Sequence, residues 1–210
     1  MQDAAGELLA LGPDGLQLTP GCSPTPVFSR WLDHFAVPLR THDGFSWVAP
    51  RRPVWSPGGQ VTVAVDSVHP PAGEMTSGWL DSVAESAQVV EVMYPGHALG
   101  RGSELARAMD AGVYLAVDVS HVHIQRESGA IDEKVLRRLF DYDRVCEVHV
   151  SANDGRTDRH WPATCDSFGL PWAAERAAVG VPVICESYLH RVDADGRRRL
   201  MGVLRDRLYS

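Results

Sequence analysis

Basic charge is scarce in this chain. Its 210 residues carry 20 Lys and Arg against 27 Asp and Glu, for a net charge of -7 at pH 7 and a pI near 5.7. A protein that grips nucleic-acid phosphates needs a basic footprint, and the average here argues against that partner, although a local basic groove can sit inside an acidic mean. Long apolar runs are missing too. None approaches the roughly 18 residues of a membrane-spanning helix. The opening "MQDAAGELLALGPDG" is acidic and has neither a basic start nor a long apolar core, so no secretory signal is expected there. Cysteine is sparse: Cys22, Cys146, Cys165 and Cys185 are scattered without close pairs. That spacing fits reduced thiols in a cytoplasmic protein rather than a disulfide framework. Internal repeats and low-complexity tracts are absent.

What remains is ordinary globular composition, with 44% apolar and 22% charged residues. The length suits one domain over 1–210 with a core that needs no staples. Seven short runs rich in Val, Ile and Leu recur, each ending in polar residues. They are "GLQLT" (15–19), "VPLRTH" (37–42), "VTVAVDSVH" (61–69), "VVEVM" (89–93), "VYLAVD" (113–118), "VCEVHV" (145–150) and "VPVICE" (181–186). Such runs read as buried strands. Between most of them lie helical segments: "PVFSRWLDHFA", "SGWLDSVAESA", "GSELARAMDAG", "AIDEKVLRRLFDYD" and "GLPWAAERAAVG". Several open with a capping residue and end at Gly. "SWVAPRRPVWSPGGQ" (46–60), with three prolines, reads as a loop, and "ADGRRRLMGVLRDRL" as a closing helix. Repeated strand–helix alternation gives a parallel α/β fold with right-handed crossovers. The expected form is a (β/α) TIM-type barrel, short of one strand.

The preference for a barrel over an open sheet comes from where the metal-capable residues fall. His42 and His69 end the second and third runs. Glu91 lies in the fourth. Asp118 ends the fifth, with His121 three residues on. His149 lies in the sixth, and Asp158 and His160 in its loop. Glu186 ends the seventh. In a parallel barrel these ends share one face, the face on which active sites form. In an open sheet they would be strung along a line. Imidazole nitrogen with carboxylate oxygen suits zinc, manganese or ferrous iron. Nine candidates exceed one tetrahedral site, so two or three divalent ions with open positions are expected. Strict alternation also turns Glu147 inward with His149 and Arg40 inward with His42. Buried charges need partners, so Arg40 and Glu147 are expected to pair, directly or through another polar group, below the metal layer.

These stretches resemble the xylose isomerase-like TIM-barrel superfamily, which includes sugar phosphate isomerases and epimerases, inosose dehydratases and endonuclease IV. "HVSANDGRTDRHWP" is similar to the family's strand-end His followed by Asp-x-His, and "DVSHVHI" to its Asp-x-x-His. "VDSVHPP" resembles a His-Pro segment of endonuclease IV. "VVEVM" and "VICES" resemble the strands that carry metal-binding glutamates. The likeness runs from about residue 15 to 190 and is strongest over 113–190. It implies that His42, His69, Glu91, Asp118, His121, His149, Asp158, His160 and Glu186 occupy the positions of a trinuclear site. The chain departs from the pattern at Ala152, where the family often has Asp.

The resulting expectation is a metal-dependent isomerase or epimerase acting on a small polar metabolite by metal-stabilised proton transfer. Glu91 and Glu186 would bind metal and move the proton. The alternatives are an endonuclease IV-like multinuclear phosphoesterase and a multinuclear non-heme iron oxidase; a metal-binding protein without catalysis is a fourth reading. Arg156 and Arg159 flank the metal loop and could hold a substrate phosphate or carboxylate. His97 could line the pocket. His121 is preferred over His123 as ligand, and Asp154 is read as shaping the turn with Gly155. Trp47, Trp55 and Trp161 could wall the pocket or pack under the loops. Substrate, metal identity and oligomeric state stay open.

Overall fold

The computed structural model describes residues 2–18, 25–43 and 66–208, and divides into two compact units, Met1–His69 and Pro70–Ser210. In the first unit, helix α1 (Gln2–Leu9) precedes β1 (Leu16–Leu18), α2 (Pro26–Leu32), β2 (Leu39–Asp43) and β3 (Ser67–Val68). Thr25 caps α2 by accepting the Phe28 amide at 3.1 Å, and Pro26 occupies the first turn, where a missing N–H costs nothing. Strand β1 pairs with β2 in parallel (Leu16 opposite Leu39), and β2 with β3 (His42 opposite Ser67). Ala5, Leu18, Phe28 and Leu32 are buried together, with Leu9, Leu16, Trp31, Val37 and Leu39 packed against them. Residues 61–65 of the expected third strand, Thr19, Cys22, the 46–60 loop and the tryptophans Trp47 and Trp55 lie outside the described residues.

In the second unit, α3 (Ser77–Ser86) leads into β4 (Val89–Val92). Helix α4 (Gly102–Asp110), β5 (Tyr114–Asp118), α5 (Val119–Glu127), α6 (Glu133–Phe140), β6 (Val145–Val150), α7 (Leu170–Ala178), β7 (Val183–Cys185) and α8 (Ala194–Leu208) follow. The strands run parallel in chain order, β4-β5-β6-β7. Val90, Val92, Leu115, Val117, Val148 and Val150 are fully buried, as are Leu105, Leu139, Leu170 and Ala173 from the helices. These are the Val- and Leu-rich runs expected of strands covered on both faces.

Register decides which polar groups meet. Glu91 lies opposite Ala116, Glu147 opposite Ala116, Asp118 opposite His149, and His149 opposite Ile184. With a side-chain period of two, Glu91, Asp118, Glu147 and His149 therefore share one face, and Glu186 follows Ile184 on it. Ala116, the smallest residue in that row, leaves room between Glu91 and Glu147. The Glu186 amide donates to the Val150 carbonyl at 3.0 Å, which fixes Glu186 just past the end of β7.

Two helices are additional to the sequence reading. One is α1. The other is α5, which starts immediately after β5. Asp118 is at once the last residue of the strand and the N-cap of the helix: its Oδ1 accepts the Ser120 amide at 2.6 Å and the His121 amide at 3.2 Å. His121 thus stands on the first turn of a helix rather than in a loop. Cys165 and Cys185 are free thiols. Among the described residues, no helix is long and apolar enough to cross a membrane.

Candidate metal centre

Within the second unit, donor atoms of Glu91, Asp118, His149 and Glu186 all lie within 4.8 Å of one another. Glu91, Asp118 and His149 are fully buried. His149 Nδ1 is 3.5 Å from Glu91 Oε1 and 3.3 Å from Glu186 Oε1. Its other nitrogen, Nε2, is 2.7 Å from Glu147 Oε1, so the carboxylate turned inward by alternation has a partner two residues along its own strand, one the sequence reading did not name.

A second group adjoins the first. His121 Nε2 lies 3.4 Å from Asp118 Oδ2 and 3.5 Å from Asp158 Oδ2, and His121 Nδ1 lies 3.2 Å from Glu91 Oε1. Asp158 Oδ2 is also 2.9 Å from His160 Nε2, while His160 Nδ1 lies 3.1 Å from the Glu186 carbonyl. His160 adopts a left-handed backbone at φ 48°, unusual for a residue with a side chain. Neighbours over-determine it. Ala152 and Trp161 exchange hydrogen bonds at 2.9 and 2.8 Å, and the Tyr188 amide donates to the His160 carbonyl at 2.9 Å.

The electrostatics are those of crowded carboxylates. Burial works against the charged form of His121, yet Asp118, Asp158 and Glu91 outweigh it and hold its pKa well above the ordinary imidazole value. At His149, burial is likewise overcome by Glu186, Glu91 and Glu147. Burial at His160 is overcome chiefly by Asp158. Burial would raise Asp158, but the neighbouring imidazoles of His121 and His160 pull it far below the usual carboxylate range.

The donor set fits divalent cations. Three carboxylates and an imidazole converge in the first group, and three like charges at such separations repel by roughly 3 kcal/mol per pair at an effective dielectric near 20. Asp118 Oδ2, His121 Nε2 and Asp158 Oδ1 are buried and make no hydrogen bond. Buried polar atoms are ordinarily satisfied, so these three atoms could serve as ligands to an ion.

Of the other expected residues, His42 and His69 lie in the first unit. Their rings meet edge to face at 4.8 Å, and His42 Nδ1 shares a 2.8 Å hydrogen bond with Ser67 Oγ. His97 packs on Tyr94 at 5.0 Å between ring centroids, and Tyr94 packs on His121 at the same distance. Arg156 and Arg159 are exposed on the loop. Asp154 accepts the amides of Arg156 and Thr157, both at 2.9 Å, and shapes the turn beside Gly155, whose φ is 72°. His123 turns away from the cluster, bonding Asn153 Oδ1 at 2.9 Å and stacking on Phe168. Trp161 is 46% exposed.

Two residues that sequence reasoning did not single out border the site. The Tyr94 ring covers His121, and Tyr188 stacks on His160 at 4.6 Å. Burial and the nearby Asp158 raise the pKa of both phenols. Their positions, three past Glu91 and two past Glu186, were the available signal: each follows a strand end that carries a candidate ligand.

No family model and no curated relative matches the sequence. Among solved structures, the chain is similar to a protein from Rhodospirillum rubrum whose crystal structure is named "Putative Xylose isomerase". The TM-score is 0.61 at 14% identity, over 98% of this chain and 92% of that one. The fold is therefore a TIM-type barrel like that of the Rhodospirillum rubrum protein, with seven parallel strands among the described residues, as the run of polar strand ends led us to expect.

Proposed function

We propose that the protein is a metal-dependent enzyme of the sugar phosphate isomerase/epimerase type, acting on a small polar metabolite. The observation that carries this reading is the convergence of Glu91, Asp118, His149 and Glu186 within 4.8 Å. The fold it shares with a protein named a xylose isomerase supports it. The proposed ligands are these four with His121, Asp158 and His160. His42 and His69 stay candidates on the strength of the sequence pattern. Divalent zinc, manganese or iron would supply Lewis-acid stabilisation of a carbonyl oxygen and of negative charge developing beside it.

The chain's own groups have separate tasks. Glu91 and Glu186 both approach His149 Nδ1, at 3.5 and 3.3 Å, and as a pair of carboxylates one can take a proton from carbon while the other returns one. Their environments differ: Glu91 is fully buried and the Glu186 side chain is 18% exposed. Such a difference separates acidities and lets two carboxyl groups play unlike roles. Asp118 holds the first turn of α5 in place through Oδ1 and offers Oδ2 to the site. Tyr94 and Tyr188 wall the site with apolar ring faces and can hydrogen-bond substrate hydroxyls through their phenols. The acidic charge supports a small-molecule partner, and the wide spacing of the cysteines in the sequence supports a cytoplasmic setting.

The test is proton exchange. Protein loaded with manganese or zinc is incubated in D2O with a panel of ketoses and their phosphates. Deuterium should appear on carbon next to the carbonyl, and Glu186→Gln should abolish it. Phosphoester hydrolysis without any exchange would replace this reading with the phosphoesterase. Substrate-dependent oxygen consumption by iron-loaded protein, again without exchange, would replace it with the oxidase.

A further inference from the structure

Glu147 lies outside the proposed ligand set, yet it is fully buried. Its Oε1 sits 2.7 Å from His149 Nε2, and the two residues lie on the same face of β6 at i and i+2. The opposite ring nitrogen, Nδ1, faces Glu91 and Glu186. An ionised carboxylate only accepts hydrogen bonds, so Nε2 must carry the proton that bridges to it. Nδ1 is then the nitrogen left to donate its lone pair. Ala116, opposite Glu147 in the register, cannot compete for either ring nitrogen because its side chain is a methyl group.

We infer that Glu147 is a positioning residue: it fixes the tautomer and ring orientation of His149 so that Nδ1, and not Nε2, binds the cation, and its charge strengthens that nitrogen as a donor. The inference rests on the metal reading above. Outer partners of this kind change metal affinity by about 10–100-fold when removed. The arrangement is built into the strand. Because residues i and i+2 share a face, a Glu-x-His pair on a rigid strand presents a ligand with its orienting carboxylate already attached, with no loop to order on binding.

The test uses the full-length protein and zinc. In wild type labelled with ¹⁵N-histidine and loaded with zinc, His149 should show zinc on Nδ1 and a slowly exchanging proton on Nε2. Glu147→Gln keeps the shape and an acceptor oxygen but removes the charge, and should bind zinc about tenfold more weakly in a chelator competition. Glu147→Ala should lose more, up to about a hundredfold. The wild-type spectrum does not depend on either variant folding. Zinc on Nε2, shared with Glu147, or a Glu147→Gln protein that folds and binds zinc like wild type, would overturn this inference while leaving the metal reading intact. Wild-type protein that takes up no zinc would overturn both.

Discussion

The two groups of proposed ligands in the second unit are neighbours built in different ways. Glu91, Asp118, His149 and Glu186 stand on or directly after four parallel strands, and three of the four are fully buried. His121, Asp158 and His160 come from a helix turn and a loop, and His160 is held in a left-handed backbone. The first group has three carboxylates for one imidazole. The second has two imidazoles for one carboxylate, already paired at 2.9 and 3.5 Å. The strand group is therefore rigid and carries surplus negative charge that a cation relieves. The loop group is closer to self-satisfied and should hold its ion less tightly. Rigid first ligands with more adjustable second ones suit a site that keeps one ion and changes the surroundings of another as substrate arrives.

The largest effect expected from breaking this contrast is at Asp118. Asn caps a helix as well as Asp does, so Asp118→Asn should leave the metal-free protein as stable as wild type, or more stable for the lost repulsion. Its metal affinity should fall at least about a hundredfold, by the scale of a removed charged ligand. Equilibrium dialysis with manganese, alongside thermal melts of metal-free protein, separates the two. A destabilised metal-free variant would mean that the carboxylate is structural.

Next is His160→Asn. Asn tolerates the left-handed backbone but removes the ring that meets Asp158. Metal stoichiometry should drop by about one ion while the tightest site keeps its affinity. Equal loss at every site would show that the two groups act as one.

A third effect is on pH. Folded-state pKa values of His121, His149 and His160 are raised by the carboxylates around them, which favours the protonated imidazoles in the metal-free protein. A cation must displace those protons, so apparent affinity should climb as pH rises from about 6 to 8. In the metal-free protein the same shifts contribute stability that is fully present below the unfolded imidazole pKa of about 6.5. That contribution is lost as pH rises through the folded values. Metal-free melting temperature should therefore fall over a range in which the loaded protein's does not. Parallel melts with and without manganese check the sign.

The smallest effect is at the exposed arginines. Arg156→Ala and Arg159→Ala should each change stability by less than about 0.5 kcal/mol and leave metal content unchanged. A KM increase confined to phosphorylated substrates would bring them into the site as anion holders.

Much of the strand group was legible in the sequence, because β-rich runs with a period of two announce both the strand and the face. Glu147 was legible in part: alternation turns it inward, but the partner expected for it was Arg40, whereas the fold sets Glu147 against His149 at 2.7 Å and Arg40 near Asp66 at 3.8 Å. Helix α5 was not. Val119, Val122 and Ile124 are branched residues of modest helix propensity, and its cap, Asp118, doubles as a strand end. The left-handed backbone of His160 has no Gly or Asn to signal it. Tyr94 and Tyr188 are single aromatics in loops, where spacing carries no period to read.

The most direct test of the central claim is elemental analysis of protein purified without added metal, repeated after reconstitution with zinc, manganese and ferrous iron. The account predicts about two or three divalent ions per chain, with at least one retained through purification. A chain that retains none and takes up none would contradict it, leaving Glu91, Asp118, His149 and Glu186 as a buried cluster balanced by protons alone.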